Sequence, residues 1–312
     1  MSSKNLGQDL PVLLTFLPSI VTTSDAGAGI GYTGIRIRGV SAQSTNITIN
    51  GIPFNDPESH GTYWVNLPDF TSSVENLQVQ RGVGTSTNGS GAFGASINIL
   101  TDAISKNPFA EISNSVGSYN TLKHTVKFST GQLNDSFELS GRLSKIDSDG
   151  YIDRAYSDLK SYFLQAAYSK GNTLIKALTF GGHEKTYQSW YGVSKEELLE
   201  NRRQNPYTYE NEIDNYKQDH YQFHWNQKLN ERWSTNLGLN YTYGRGYFEQ
   251  YREDDSIDTY GGILVSDLDQ QGNKTGTTDL IRRRWLDNNF YVFNASANYK
   301  TSKLDLMFNS SY

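Results

Sequence analysis

Asn236-Leu-Gly-Leu-Asn-Tyr-Thr-Tyr243 alternates without a break, with Leu237, Leu239, Tyr241 and Tyr243 on one side and Asn236, Gly238, Asn240 and Thr242 on the other. A period of two places these sets on opposite faces of a strand, one apolar and one polar. The same grammar runs outward in both directions. Tyr291, Phe293, Ala295, Ala297 and Tyr299 alternate with Val292, Asn294, Ser296 and Asn298; Tyr221, Phe223 and Trp225 alternate with Gln222 and His224. Phe137, Leu139 and Leu143 oppose Glu138, Ser140 and Arg142, whereas residues 173–181 alternate poorly. About nine such strands follow residue 109, each near the ten residues that a tilted membrane strand needs. They are expected at 109–117, 121–130, 136–146, 158–169, 173–182, 218–228, 233–244, 288–299 and 303–312. Every second connection is short (131–135, 170–172, 229–232 and 300–302), and the intervening ones include 147–157, 183–217 and 245–287. Long loops on one side and short turns on the other are the habit of outer-membrane barrels. Ser118–Asn120 is short and departs from the rule.

Composition agrees with β structure. The chain has 312 residues, enough for two structural units, with 21 Tyr, 14 Phe and 5 Trp, and 28 Gly against 7 Pro. Mean hydropathy is -0.61, and no apolar run approaches the 18 residues of a membrane helix. A barrel still scores as polar, because only half of each strand faces lipid. The net charge of -5 argues against a nucleic-acid partner, and the absence of cysteine removes disulfides, thiolate metal sites and cysteine nucleophiles. Met1-Ser-Ser-Lys-Asn-Leu-Gly7 has no apolar leader core, so the expectation is a missing N-terminus or a protein that is not exported.

Residues 1–103 read differently, as a compact mixed α/β domain, with residues 104–312 as the first part of a barrel. Residues 6–17 have helical apolar spacing, with Asp9 as N-cap, Pro11 in the first turn and Pro18 as the stop. Short strands are expected at Ile35–Arg38, Ile47–Ile49, Leu77–Gln80 and Ser96–Leu100, between glycine-rich loops at Ala26–Gly34 and Gly82–Gly94.

Four blocks here resemble a known family. Gly34-Ile-Arg-Ile-Arg-Gly-Val40 is similar to the IRG signature of TonB-dependent receptor plugs. Ile47-Thr-Ile-Asn-Gly-Ile-Pro-Phe-Asn-Asp56 resembles the next strand and its DGVPxND turn, with Asn50 replacing the usual Asp. Val74-Glu-Asn-Leu-Gln-Val-Gln-Arg-Gly82 and Gly89-Ser-Gly-Ala-Phe-Gly-Ala-Ser-Ile-Asn-Ile-Leu-Thr101 resemble the two that follow, with Ala95 at the usual second glycine. Their order and spacing over residues 34–101 make the resemblance specific; the rest matches only as barrel pattern. The resemblance implies a plug inside an antiparallel transmembrane β-barrel of the Gram-negative outer membrane. It also implies active uptake of a scarce nutrient, most often a ferric siderophore, otherwise haem, cobalamin or a glycan. TonB would pull on an N-terminal segment that this chain lacks. The glycan-importing branch usually reads LKDASA where this chain has Gln80-Arg-Gly-Val-Gly-Thr85, which favours the siderophore-like branch. Family barrels have about 22 strands, so a chain with about nine is expected not to transport alone, because its open edges would expose unpaired backbone to lipid.

The resemblance gives Arg38 and Arg81 a plug-holding role, paired with wall glutamates on later strands; Arg36 lies two residues from Arg38 and joins the same face. The alternative is exposed arginines at strand ends. The loops expected to reach the extracellular mouth carry Tyr32, Gln43, Ser44, His60, Tyr63 and Trp64, whose aromatic and amide groups suit a planar, oxygen-rich chelate or a sugar. Packing against the wall is the plainer role, for Trp64 above all. Gly89–Gly94 spells GxGxxG, but Ser96–Leu100 after it reads as a strand, so a dinucleotide site is not expected. Asp147–Asp153 and Glu253–Asp258 read as solvated turns rather than Ca²⁺ loops. His220 and His224 share the polar face of one strand and are not expected to bind zinc. Lys195–Arg203 reads as a short helix within a long loop, either a lid element or an ordinary amphipathic turn. No catalytic arrangement stands out, and neither enzyme activity nor a cofactor is expected. The competing reading is a soluble β-rich binding or adhesion module.

Overall fold

The computed structural model describes residues 5–83, 93–261, 268, 271–272 and 276–311. Near the N-terminus the chain makes one helical turn and two small sheets. The expected helix over 6–17 shrinks to α1 (Leu10–Leu13), with Pro11 in its first turn. The Asp9 side chain does not cap it; its Oδ2 accepts instead from Thr33 Oγ1 at 2.8 Å. With its capping carboxylate committed elsewhere, the apolar spacing serves burial: Leu10 and Leu14 enter the core.

Strand β1 (Ile20–Ser24) pairs antiparallel with β2 (Thr33–Ile37). The second sheet has the order β4-β3-β6-β5, built from β3 (Thr45–Ile49), β4 (Ile52–Pro53), β5 (Val74–Arg81) and β6 (Ala95–Thr101), and β3 runs parallel to β6. Its interior is a close set of isoleucines, Ile47, Ile49, Ile97 and Ile99, all at most 1% exposed. β-branched side chains of this kind fit a strand buried on both faces. Gly89–Ala92 of the GxGxxG stretch lie outside the described residues, and the element after them is strand β6.

From residue 109 a single sheet runs in strict chain order: β7 (Phe109–Gly117), β8 (Thr121–Ser129), β9 (Phe137–Ser148), β10 (Ser157–Lys170), β11 (Thr173–Tyr187), β12 (Ile213–Lys228), β13 (Trp233–Ser256), β14 (Thr277–Lys300) and β15 (Asp305–Ser311). Each neighbouring pair is antiparallel, and β7 and β15 remain as edges, so the barrel is incomplete. Several strands outrun their expected ends toward the long loops, β13 and β14 reaching 24 residues each. The alternation is visible as burial. Along β10, Ser157, Leu159, Ser161, Phe163, Gln165 and Ala167 are all buried, with outward residues between them. The outer face is apolar and aromatic: Tyr221, Tyr241 and Tyr291 sit opposite one another on β12, β13 and β14, with ring centroids 5.9 and 4.9 Å apart. Such cross-strand aromatic pairs fix register.

Residues 173–181 alternate poorly because β11 is apolar inward as well. Leu178 and Phe180 face the N-terminal unit and share a core with Trp64, Leu67 and Phe70. Phe70 lies 5.1 Å from Phe180 between ring centroids. Among the described residues no helix is long and apolar enough to cross a membrane. The 188–212 connection contains α2 (Lys195–Glu200), started by a capping box in which Glu197 N–H donates to Ser194 Oγ and Ser194 N–H donates to Glu197 Oε2.

Candidate ligand site

A cavity of about 650 Å³ opens at the long-loop end, between the N-terminal unit and the inner faces of β11 to β14. The β1–β2 connection brings Asp25 and Tyr32 to it, and Asp25 N–H donates to the Tyr32 carbonyl at 3.0 Å to close that loop. Gly31 allows the close approach. It has φ of +90°, and a Cβ there would stand 2.8 Å from Ser157 Oγ on the wall. The segment after β4 contributes Asp56, Glu58 and Tyr63. The wall contributes Glu184 and Asp214, and Trp190 comes from the long connection after β11.

Tyr32 joins the two sides. Its hydroxyl donates to Asp214 Oδ2 in a short hydrogen bond and lies 3.5 Å from Glu184 Oε1. Burial, then the two carboxylates, push the Tyr32 phenol well above its ordinary range, so it remains a donor. Trp190 packs edge-on against Tyr32 at 5.3 Å and against Phe248 at 5.6 Å. Asp25 is pushed up to about 6 by burial. A second cavity of about 280 Å³ adjoins and shares Asp56, Glu58 and Tyr63. His220, on its wall, stacks on Phe180 at 4.7 Å and hydrogen-bonds Thr242 at 2.8 Å; the described residues contain no group of three side chains able to hold a metal.

Of the six loop residues singled out in the sequence, Tyr32 and Tyr63 line the cavity. Trp64 is 3% exposed and belongs to the core. Gln43, Ser44 and His60 stand outside the lining; Ser44 carbonyl accepts from Gly94 N–H at 2.8 Å, and His60 carbonyl accepts from Asn55 Nδ2 at 3.0 Å. The three arginines lie on an exposed side. Arg36 points away from the buried Ile35 and Ile37, Arg38 has a left-handed φ of 57°, and Arg81 donates to the Pro18 carbonyl at 3.2 Å. None of the three makes an ion pair among the described residues.

The ionic link that joins the N-terminal unit to the wall runs through residues the sequence did not single out. Asp69 is met by Lys123 Nζ at 2.8 Å and Arg142 Nη1 at 3.3 Å, and the three side chains are at most 2% exposed. Thr125 and Ser144 each donate to Asp69 Oδ2 at 2.6 Å. Burial alone would push the Asp69 carboxyl up. Arg142 and Lys123, with hydrogen bonds from Lys123 and Ser144, outweigh it and hold the group well below the carboxylate range. A second link lies near the short-turn end, where Lys127 pairs with Asp102 at 2.8 Å.

A small mixed domain seated by buried polar links on the inner face of an antiparallel barrel wall defines a plugged-barrel protein. Residues 3–96 match the TonB-dependent Receptor Plug Domain family. The chain is 32% identical over 148 residues to the vitamin B12 transporter BtuB of Vibrio vulnificus (strain YJ016), a match covering 47% of this chain and 23% of that protein. The fold is similar to the copper transporter OprC, with a TM-score of 0.71 and 13% identity over 98% of this chain and 44% of that one. It is likewise similar to the pyoverdine outer membrane receptor FpvA from Pseudomonas aeruginosa PAO1, with a TM-score of 0.69 and 12% identity over 98% of this chain and 43% of that one. This chain thus spans less than half the length of these relatives. Residues 3–96 match the plug domain of TonB-dependent receptors, and the chain as a whole has the fold of such a plug with part of its barrel.

Proposed function

We propose that this chain is the ligand-facing portion of an outer-membrane receptor for energised uptake of a scarce nutrient, most readily a ferric siderophore or similar iron chelate. The observation that carries this is the cavity at the long-loop mouth, walled on one side by plug loops and on the other by barrel strands. A ligand bound there touches both the fixed wall and the movable plug, which is what coupling capture to plug movement requires. The partners under this reading are outer-membrane lipid around the aromatic outer face and TonB on a segment N-terminal to the plug. The departure from the LKDASA pattern at Gln80–Thr85 supports the siderophore-like branch over a glycan importer. Cobalamin is the second reading, favoured by the similarity to the vitamin B12 transporter. The test is uptake by cells carrying the natural receptor gene, against its deletion. Radiolabelled ferric trihydroxamates and catecholates, cyanocobalamin and oligosaccharides are compared. Loss of iron-chelate uptake alone is expected; loss of cobalamin or glycan uptake alone would replace the reading.

A further inference from the structure

We infer that the cavity takes a ligand bearing an organic cation, an ammonium or guanidinium group, with Glu184 and Asp214 as its counter-ions and the Trp190–Phe248 rings as its wall. The inference rests on the proposed receptor reading and adds the charge of the ligand to it.

Five carboxylates line the cavity, Asp25, Asp56, Glu58, Glu184 and Asp214, and among the described residues no lysine, arginine or histidine does. The two on the wall carry the argument. Glu184 on β11 and Asp214 on β12 sit on adjacent strands, where Asp214 is registered opposite Thr186, two residues from Glu184. They are 2% and 4% exposed. Neither pairs with a cation among the described residues. Their partners are hydroxyls: Tyr32 reaches both, and Thr186 donates to Glu184 Oε2 at 3.3 Å. Asp214 Oδ1 has no hydrogen-bond partner among the described residues, although the residue is almost wholly buried and lines the cavity. Buried carboxylate oxygens are costly unless they are paired, so this one is an acceptor without a donor in the wall of the cavity.

The chemistry of the guest follows. A bare metal ion fits poorly, because no set of three ligating side chains is present among the described residues. An anionic chelate would bring its charge against five carboxylates in a confined site, where repulsion is screened less than in bulk water. A substituted ammonium or guanidinium has the N–H donors that Asp214 Oδ1 lacks. Aromatic faces add cation–π attraction, and Trp190 stands at that end of the cavity; Phe248 beside it already has the Arg284 guanidinium 5.3 Å from its ring centroid. The outer carboxylates Asp25, Asp56 and Glu58 extend the negative field to the entrance and would draw such a ligand in.

The test uses the natural receptor in outer-membrane vesicles and three probes built on one ferric trihydroxamate. One keeps its pendant ammonium, one is acetylated on that nitrogen and neutral, and one is succinylated and anionic. The cationic probe is expected to bind at least tenfold more tightly than the anionic one. Glu184→Gln with Asp214→Asn should close that gap to within about twofold, while Glu184→Asp keeps it. A succinylated probe bound as tightly as the cationic one, or a gap that survives the double neutral variant, overturns the inference. If no probe binds, the iron-chelate reading falls, and the cavity's charge is then read directly from Trp190 fluorescence, taken as the difference from Trp190→Phe. With each ion's quenching scaled to its quenching of free N-acetyltryptophanamide, caesium should quench it more than iodide, and the preference should vanish in the double variant; equal scaled quenching by the two ions would refute the cationic preference.

Discussion

Asp69 sits in Leu67-Pro-Asp-Phe70, with a left-handed φ of 51° that turns its carboxylate outward into the wall. Two cations and several hydroxyls converge on that one carboxylate, so removing it strands buried charge on Lys123 and Arg142. Breaking a buried pair in this way costs roughly 3–5 kcal/mol. Asp69→Ala is therefore expected to loosen the plug, seen as new protease cleavage in residues 5–101 of the membrane-embedded receptor, while the barrel stays folded. The folded Asp69 carboxyl lies below its ordinary value, so its contribution is complete above about pH 4 and fades only in strong acid. Asp9 behaves oppositely. Burial first, against hydrogen bonds from Thr33 and Gly31, raises its carboxyl to about 8, and its Oδ1 is unpartnered among the described residues. A raised carboxyl favours the fold fully below its unfolded value near 3.8 and loses that advantage as pH rises toward about 8. Asp9→Asn should thus raise plug stability at pH 8 and leave it unchanged at pH 4, in a urea titration followed by proteolysis. Neither role was legible in the sequence. Pro-Asp reads as an ordinary turn, and lysine and arginine on the polar face of a barrel strand read as wetted lumen residues until a plug is packed on them.

At the scale of elements, period-two patterning located all nine barrel strands, because a wall with lipid outside and polar groups inside leaves a clean alternating record. It failed where that contrast is lost. On β11 the plug replaces water, so Leu178 and Phe180 are apolar inward and the pattern blurs. In the plug, β1 and the two-residue β4 were not anticipated: they are too short for a period to show, and their pairing depends on partners distant in sequence. The helix over 6–17 was overestimated, because spacing cannot tell a helix from an irregular segment with its apolar side chains buried. β11 also approaches the plug closely through a glycine. A Cβ on Gly182 would lie 2.5 Å from the Asn66 carbonyl oxygen and 2.6 Å from Pro68 Cδ. Gly182→Val is expected to push the plug off the wall at a cost of about 1–3 kcal/mol, measurable as a lower midpoint for plug release in urea. Gly192→Val, with nothing within 4 Å of its Cβ, is the control and should change nothing.

Across the whole molecule, the chain is a sheet with an apolar, aromatic outer face and a plug bound to its inner face. The buried polar anchors of that plug are distributed unevenly. Lys123, Thr125 and Lys127 lie on β8, Arg142 and Ser144 on β9, and Ser161, which donates to the Pro68 carbonyl at 2.6 Å, on β10. Toward β12 and β14, the short Tyr32–Asp214 hydrogen bond at the mouth apart, the polar contacts are lighter, as with Asn50 to Gln222 at 3.2 Å and Asn294 to the Gly51 carbonyl at 3.0 Å, and the cavities open on that side. Against these nine strands the plug is a door hung on one jamb: force applied to it meets more resistance along β8 to β10 than along β12 to β14. This chain contains no cysteine of its own to compete with engineered tethers placed within it. A disulfide between Asn50→Cys and Gln222→Cys should abolish uptake by the natural receptor until it is reduced, whereas one between Pro68→Cys and Ser161→Cys should leave most of it; equal inhibition by the two would show that the plug leaves as one piece with no hinge side.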